Sequence, residues 1–349
     1  MDMKAIMRNT TKPGDMSLHE IAVPKPHGHF LLAKVAYAGI CASDLHILFN
    51  RTDMYKPPVV QGHEFSAIVV DKGEEVDDFS IGDIVTSETA FDFPNHPDAH
   101  LLPDYQLLSG KQTIGWTVNG GFAQYVLLNS RFCHKFSKNA SLKRAALCEP
   151  TAIAAESVFF KGKLRPEDTL VVIGPGPIGV LCALIAKHHG GVENTCLIGL
   201  PADARVRLAT AKKLGITNCW TTEDRLQALL LEKTRVEKAD AVIDATGNIK
   251  GYELALDLVK KNGTIVQTGF ITSDTMFSWE RAARLALNLN FVFGASRRAW
   301  EIACEFITST AINLESLVSK DHPLDKFEQA FKDAAQNNEL VKVMFKPNE

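Results

Sequence analysis

The sequence has no C-x-x-C pair, no block of basic residues and no apolar run of the roughly 18 residues that a membrane helix needs. Seven cysteines stand at 41, 133, 148, 182, 196, 219 and 304, an odd and scattered set. That pattern argues against a disulfide framework and fits reduced thiols. With 38 Lys and Arg against 41 Asp and Glu, the net charge is −3. No basic stripe invites nucleic acid or an anionic membrane. The opening MDMKAIMRNTTKPGD lacks the apolar core of a signal peptide. These absences predict a cytoplasmic location, with neither membrane nor nucleic acid among the partners. Repeats and low-complexity segments are missing too.

What is present is an ordinary globular composition, 46% hydrophobic and 23% charged, over 349 residues. That length predicts two domains. The chain is organised around LVVIGPGPIG. Leu170, Val171, Val172 and Ile173 form a short continuous apolar run, as a strand buried on both faces does. Gly174, Pro175, Gly176, Pro177, Ile178 and Gly179 then spell G-x-G-x-x-G and lead into a helical pattern over 180–189. Strand, glycine turn and helix together are the context of a dinucleotide-binding fingerprint. Gly174 permits the tight turn, Gly176 lets a pyrophosphate approach the backbone, and Gly179 lets helix lie on strand. The helix N-terminus adds amide donors and the positive end of a dipole.

The two halves follow different grammars. Short strands at 4–7, 31–37, 65–71, 122–128 and 133–136, with many turns, make the first 150 residues mainly β. A tight turn at 81–83 leads into another strand, and 87–118 is irregular. From about 151 the pattern alternates. A helix over 151–160 precedes strands at 169–173, 195–199, 217–221, 240–244 and 263–268. Helices at 178–189, 203–214, 223–235 and 248–260 intervene, and a strand at 290–293 would complete a six-strand set. This is the signature of a doubly wound parallel sheet of Rossmann type, so the fold class is α/β. Helices at 299–308 and 324–336 and a strand at 341–345 close the chain.

Two clusters in the β-rich half carry metal-ligand chemistry. One is Gly39-Ile40-Cys41-Ala42-Ser43-Asp44-Leu45-His46, the other Gly62-His63-Glu64. Thiolate, imidazole and carboxylate are the donors that zinc takes, and three protein ligands with one open position make a catalytic site.

GICASDLH, GHE, GGFAQYV at 120–126, Cys148-Glu149-Pro150, GPGPIG and Asp244-Ala245-Thr246-Gly247 occur in this order. In that set and order the chain resembles the zinc-dependent medium-chain alcohol and polyol dehydrogenases over nearly its whole length. Pro323-Leu324 and Lys342-Val343 are similar to that family's closing segment. Glu149-Pro150 looks more like the sorbitol, threonine and sugar dehydrogenases than like the simple ethanol enzymes. The resemblance implies a GroES-like catalytic domain of 1–151 and 295–349 around a Rossmann domain of 152–294, with the active site in the cleft between them. It implies that Cys41 and His63 bind zinc, with Glu64 as third ligand or exchanging with water, and Glu149 binding directly or through water. Ser43 would take the substrate's proton, His46 would pass it towards solvent, and Asp44 would orient a neighbour. Read without the resemblance, Ser43 and Asp44 cap a helix and His46 is a surface histidine.

The sequence departs from the family in one lobe. Residues 88–118 contain no cysteine, so a structural Cys₄ zinc is excluded and one catalytic zinc per chain is expected. His96, Asp98, His100 and Asp104 read as a polar loop. Phe91, Phe93, Leu101, Leu102, Tyr105, Leu107 and Leu108 are expected to pack the lobe, against the chain itself or another subunit. The cofactor's second phosphate is ambiguous. No acid ends the second strand, and Asp203 comes late, followed by Arg205 and Arg207. Asp203 would take the ribose hydroxyls of NAD or cap a helix; Arg205 would accept the 2′-phosphate of NADP. NAD is favoured. Thr246, Gly269 and Phe270, at carboxyl ends of strands, are further cofactor contacts, and Arg297 and Arg298 either reach a ligand or stay solvated.

The expectation is therefore a zinc-dependent, nicotinamide-linked dehydrogenase of a secondary alcohol such as a polyol, sugar or hydroxy-amino acid. By family resemblance it forms a homo-oligomer, a dimer or tetramer. Two alternatives stand beside it: a zinc-free NADPH-dependent enone or quinone reductase of the same architecture, and a non-catalytic dinucleotide-binding protein.

Overall fold

A computed structural model describes residues 1–349 apart from 50, 97, 273, 310 and 338. The chain divides into two units, Met1–Glu149 with Ser296–Ser309 and Val318–Glu349, and Pro150–Ala295 with Thr310–Leu317.

The second unit is a six-stranded sheet in which every neighbouring pair is parallel. Its spatial order is Asn218–Thr221, Asn194–Gly199, Thr169–Ile173, Ala239–Asp244, Val259–Gln267, Asn288–Phe291. The chain builds outward from Thr169–Ile173 in one direction, then returns to that strand's other side. A crevice therefore opens at the carboxyl ends of Thr169–Ile173 and Ala239–Asp244, where ligands bind in such sheets. All five residues of Thr169–Ile173 are buried, as the unbroken apolar run requires. The helix after the glycine turn runs Pro177–His188, with proline in its first turn, where no amide partner is lost.

Among the elements that differ from expectation, two bear on the sheet and the cofactor end. The helix expected to 260 stops at Leu258, and Val259–Gln267 is already strand. Val259 pairs with Ala239 before a bulge, and Asn262 sits at φ 57°, so the sheet claims residues that helical periodicity would keep. The helix expected over 203–214 is instead a short turn, Pro201–Asp203, and a helix, Arg207–Lys213.

The first unit holds a seven-stranded sheet. Its path is Cys133–Phe136, Ile84–Ser87, Glu64–Lys72, Phe30–Gly39, Lys342–Phe345, Val318–His322, and Tyr125–Asn129 also pairs with Phe30–Gly39. The last strand lies antiparallel to Ala38 and Gly39, which brings Lys342 beside the residues before Cys41. Phe122 and Phe345 anchor the core with ring centroids 4.9 Å apart. A strand unseen in the sequence, Met16–Ala22, pairs with Asp2–Arg8. None of its seven residues is fully buried, so it shows no alternation to read.

The cysteine-free lobe is held by a small aromatic cluster. Phe93 and Tyr105 meet edge to face, with centroids 5.8 Å apart, and pack with Phe132, Ala90 and Ala99. Leu108 flanks that cluster, and Phe91 packs on the main core. Three expected contributors do not pack: Leu101, Leu102 and Leu107 are 72%, 45% and 57% exposed. They lie in and beside two three-residue turns, Ala99–Leu101 and Tyr105–Leu107. So short a turn has room to bury only one side of itself. Among the described residues no helix is long and apolar enough to cross a membrane.

Candidate active site

Cys41 is the N-cap of the helix Ala42–Leu48, and the cap organises the site. The Cys41 amide donates to Asp44 Oδ2 at 2.9 Å, and the Asp44 amide donates to the Cys41 carbonyl at 3.1 Å. Asp44 is thereby fixed and fully buried, while its Oδ1 has no hydrogen bond. That oxygen lies 3.6 Å from His63 Nδ1, which also has none. On the other side of the ring, Ser43 Oγ lies 3.3 Å from His63 Nε2. Trp116 presents a ring edge-on to His63 at 6.2 Å between centroids.

Glu64 follows His63 into the strand Glu64–Lys72 and is 1% exposed. It pairs with the Lys342 ammonium, which donates also to the Ile40 carbonyl at 3.0 Å. Gly39 makes room for the pair: a Cβ there would fall 2.5 Å from Glu64 Oε2 and 2.7 Å from Lys342 Cε. One ligand atom each from Cys41, His63 and Glu64 lie within 4.8 Å of one another, the one such group of three among the described residues. Glu149, also buried, stands in the first turn of the helix Cys148–Ala155.

The electrostatics describe a buried site that calls for a cation. Burial pushes the Glu149 carboxyl up to about 7, with Glu64 and Asp44 adding to the rise and His63 opposing it. Burial likewise raises Asp44 and the Cys41 thiol. Burial works against a charged His63, yet the Asp44 carboxylate and Cys41 outweigh it and hold the ring well above its ordinary range. Sulfur, nitrogen and oxygen donors converge, and the donor set is one that zinc takes. The paired orphans Asp44 Oδ1 and His63 Nδ1 fit it as well. A ring that gives Nε2 to a metal keeps its proton on Nδ1, and a carboxylate placed there fixes that tautomer.

His46 is half-buried, and burial with nearby Arg51 lowers its pKa. Its Nδ1 has no hydrogen bond, and among the described residues it shares none with Ser43. Arg297 is tied away into the fold, donating to the Arg131 carbonyl at 2.9 Å and lying 3.4 Å from Glu88, while Arg298 is exposed.

In the second unit, Gly174 takes φ +100° and donates its amide to the Ile198 carbonyl at 2.8 Å. A Cβ on Gly179 would fall 1.8 Å from the Gly174 carbonyl oxygen, so only glycine closes this turn. A Cβ on Gly176 would meet nothing within 4 Å. The N-cap Gly176, with half-buried Pro177 and Ile178, thus borders open space in front of the helix amides, as a pyrophosphate needs. Thr246 donates from its amide and hydroxyl to Asp244 Oδ1, at 2.8 and 2.6 Å. Gly269 donates to the Asp244 carbonyl at 3.0 Å, and Phe270 is 42% exposed. Asp203 is 5% exposed, accepts from the Leu200 amide at 2.8 Å and pairs with Arg207 at 3.3 Å, whereas Arg205 is exposed.

Sequence reasoning missed the partner role of Lys342, the neighbour Trp116, and the set Glu88, His134 and Cys304. Lys342 sits 278 residues from its partner. Gly39, which opens GICASDLH, is the nearest sequence signal of a crowded approach.

Residues 28–138 match the alcohol dehydrogenase GroES-like domain, and residues 177–309 match the zinc-binding dehydrogenase domain. D-arabitol-phosphate dehydrogenase of Enterococcus avium is 32% identical over 349 residues, covering 99% of this chain and 98% of its own. Sorbitol dehydrogenase of Halalkalibacterium halodurans is 31% identical and covers 99% of both chains. A solved alcohol dehydrogenase from Escherichia coli CFT073, complexed with NADH, matches with TM-score 0.86 at 23% identity over 99% of each chain. With the two domain matches in order and relatives similar from end to end, the chain belongs to the zinc-dependent medium-chain dehydrogenases of the alcohol and polyol type.

Proposed function

We propose that this chain oxidises a secondary alcohol of a polyol or sugar, or reduces the matching ketone, with one catalytic zinc and NAD. The convergence of Cys41, His63 and Glu64 donors carries the reading. Polyol relatives and the Glu149-Pro150 pair favour that substrate class over simple alcohols. Cys41 and His63 would hold the metal, with Glu64 as third ligand or exchanging with water, and Glu149 binding directly or through water. Zinc, when bound, supplies Lewis acidity at the substrate oxygen. A nicotinamide held by Gly174, Gly176, Pro177, Ile178 and Gly179 supplies the hydride acceptor.

The chain's own residues move the proton. Ser43 Oγ, buried beside His63, accepts the hydroxyl proton, and His46, half-buried and with a free Nδ1, carries it towards solvent. Asp44 holds the His63 ring. Lys342 pairs with Glu64 and, with His63, opposes the rise that burial, Glu64 and Asp44 impose on Glu149. Thr246, Gly269 and Phe270 line the cofactor's nicotinamide half. At its other end, Asp203 would take the ribose hydroxyls of NAD, and exposed Arg205 is the group that would admit NADP. The open edge of Asn288–Phe291, with Phe291 65% exposed, supports a homo-oligomer, a dimer or tetramer.

The test is zinc per chain after purification without added metal, followed by a polyol and sugar-alcohol panel with NAD and with NADP. One zinc, and NAD-linked oxidation lost on chelation, is the expected result. Full enone or quinone reduction by metal-free protein would replace this reading with the reductase alternative. Cofactor binding without turnover of any alcohol would favour a binding protein. Light scattering reads the oligomer.

A further inference from the structure

Outside that site the first unit contains a second thiol cluster. Cys304, half-buried on the helix Arg297–Ser309, has its sulfur 3.3 Å from that of buried Cys148. His134 hydrogen-bonds Cys304 and, through Nε2, Glu88 at 2.9 Å. Its ring stacks on Trp300, with centroids 5.7 Å apart and planes 5° from parallel. Glu88 is fully buried and takes Tyr105 and Arg297 as further partners. Thiol, imidazole and carboxylate thus stand in line, with a second thiol behind the first.

We propose that Cys304 and Cys148 form an oxidation site, in which Cys304 reacts with hydrogen peroxide and Cys148 resolves the product to a disulfide. The line of groups explains why Cys304 attacks first. The hydrogen bond from Cys148, and then that from His134, outweigh burial and bring the Cys304 thiol down to about 6. His134 resists burial through Cys304 and Glu88 and rises to about 9. An imidazole against the Cys304 sulfur, with a carboxylate behind it, is the arrangement that makes a thiol nucleophilic. Cys133, Cys182, Cys196 and Cys219 have no such partner set, and burial pushes each of them up to about 12.

The chemistry balances. The Cys304 thiolate attacks one peroxide oxygen, the O–O bond breaks, and the leaving oxygen takes a proton from His134 to depart as water. Cys304 is now a sulfenic acid. The Cys148 sulfur attacks the Cys304 sulfur, the S–S bond forms and the S–O bond breaks. The hydroxyl leaves as a second water with the Cys148 proton. Two thiols are oxidised by two electrons, and the peroxide is reduced to two waters. The sulfurs must close from 3.3 Å to about 2.05 Å. Because Cys148 precedes Glu149, the bond would tie the start of a helix bearing a candidate zinc carboxylate.

The full-length, zinc-loaded protein is exposed to hydrogen peroxide, its remaining thiols are alkylated, and its peptides are mapped by mass spectrometry. One reducible Cys148–Cys304 cross-link is expected, with the other five of the seven cysteines alkylated. In a Cys148→Ser variant a dimedone-type reagent is expected to trap sulfenic acid at Cys304. A His134→Gln variant is expected to cross-link more slowly, on the order of tenfold. Both thiols remaining alkylated after peroxide would overturn the proposal, and so would oxidation that falls first on Cys41. The readout needs no alcohol substrate, so its failure is distinct from a failure of the dehydrogenase reading.

Discussion

The first unit holds two buried clusters built from the same side-chain types, and they are wired differently. In Cys41, His63 and Glu64 the donor atoms converge, while Asp44 Oδ1 and His63 Nδ1 face each other without a hydrogen bond. In Cys304, His134 and Glu88 the groups consume one another in a line. Convergence leaves room and charge for a cation. A line leaves a polarised thiol. Composition alone does not separate a metal site from a nucleophile; what separates them is whether three donor atoms close on one another or run in a chain.

The largest test of this contrast is Ser43→Ala. If Ser43 carries the substrate proton, kcat should fall by about 10²–10⁴-fold. Zinc content and the peroxide reactivity of Cys304 should not change, since Ser43 belongs to one cluster only. An unchanged kcat would remove Ser43 from the proton path and leave it as a neighbour of His63.

Next comes Lys342→Met. Lys342 and Glu64 are 3% and 1% exposed, so removing the ammonium strands a buried carboxylate, at a cost of about 3–5 kcal/mol. The metal-free protein should show this as a lower urea midpoint for the first unit. Adding Glu64→Leu should recover most of the loss, because the double variant buries no lone charge. Losses that simply add would mean that the pair is not coupled.

How each cluster is made decides how much of it could be read beforehand. The dinucleotide turn was legible because its chemistry is local: Gly174, Gly176 and Gly179 lie within six residues, between an unbroken apolar strand and a helix. Cys41, Ser43 and Asp44 were legible for the same reason, since one helix cap places all three. Lys342 was not, because strand pairing at the far end of the chain brings it to Gly39. The second cluster draws on residues 88, 134, 148 and 304, which no spacing rule connects, and Cys304 reads only as part of an amphipathic helix. The lobe shows the opposite error. Its leucines promised a core by composition, whereas Phe93 and Tyr105 go inside to meet Phe132, and Leu101, Leu102 and Leu107 at its turns face water.

Asp44→Asn probes the first cluster more gently. The amide keeps the shape of the helix cap and loses the charge that faces His63 Nδ1 at 3.6 Å. Zinc affinity, measured by competition with a chromophoric chelator, should fall about 10–100-fold. Glu88→Gln, the matching change in the second cluster, should leave zinc affinity alone and slow Cys304 oxidation. If both variants lowered zinc affinity equally, the two clusters would be one electrostatic unit.

The smallest effect is expected from Tyr105→Phe. The Tyr105 hydroxyl donates to Glu88, and its ring sits in the aromatic cluster that holds the cysteine-free lobe. The variant keeps the ring and removes the donor. A hydrogen bond to a buried charged group contributes about 1.5–3 kcal/mol, and here the carboxylate keeps His134 and Arg297, so the lower end, about 1.5 kcal/mol, is expected. Thermal denaturation of the metal-free protein reads it. The direction at Cys304 is the sharper readout: with one donor fewer, Glu88 holds more negative charge against His134, the imidazolium is favoured, and peroxide reactivity should stay equal or rise. A fall in reactivity would mean that Tyr105 places Glu88 rather than tuning it, and that the line of groups depends on the lobe's packing.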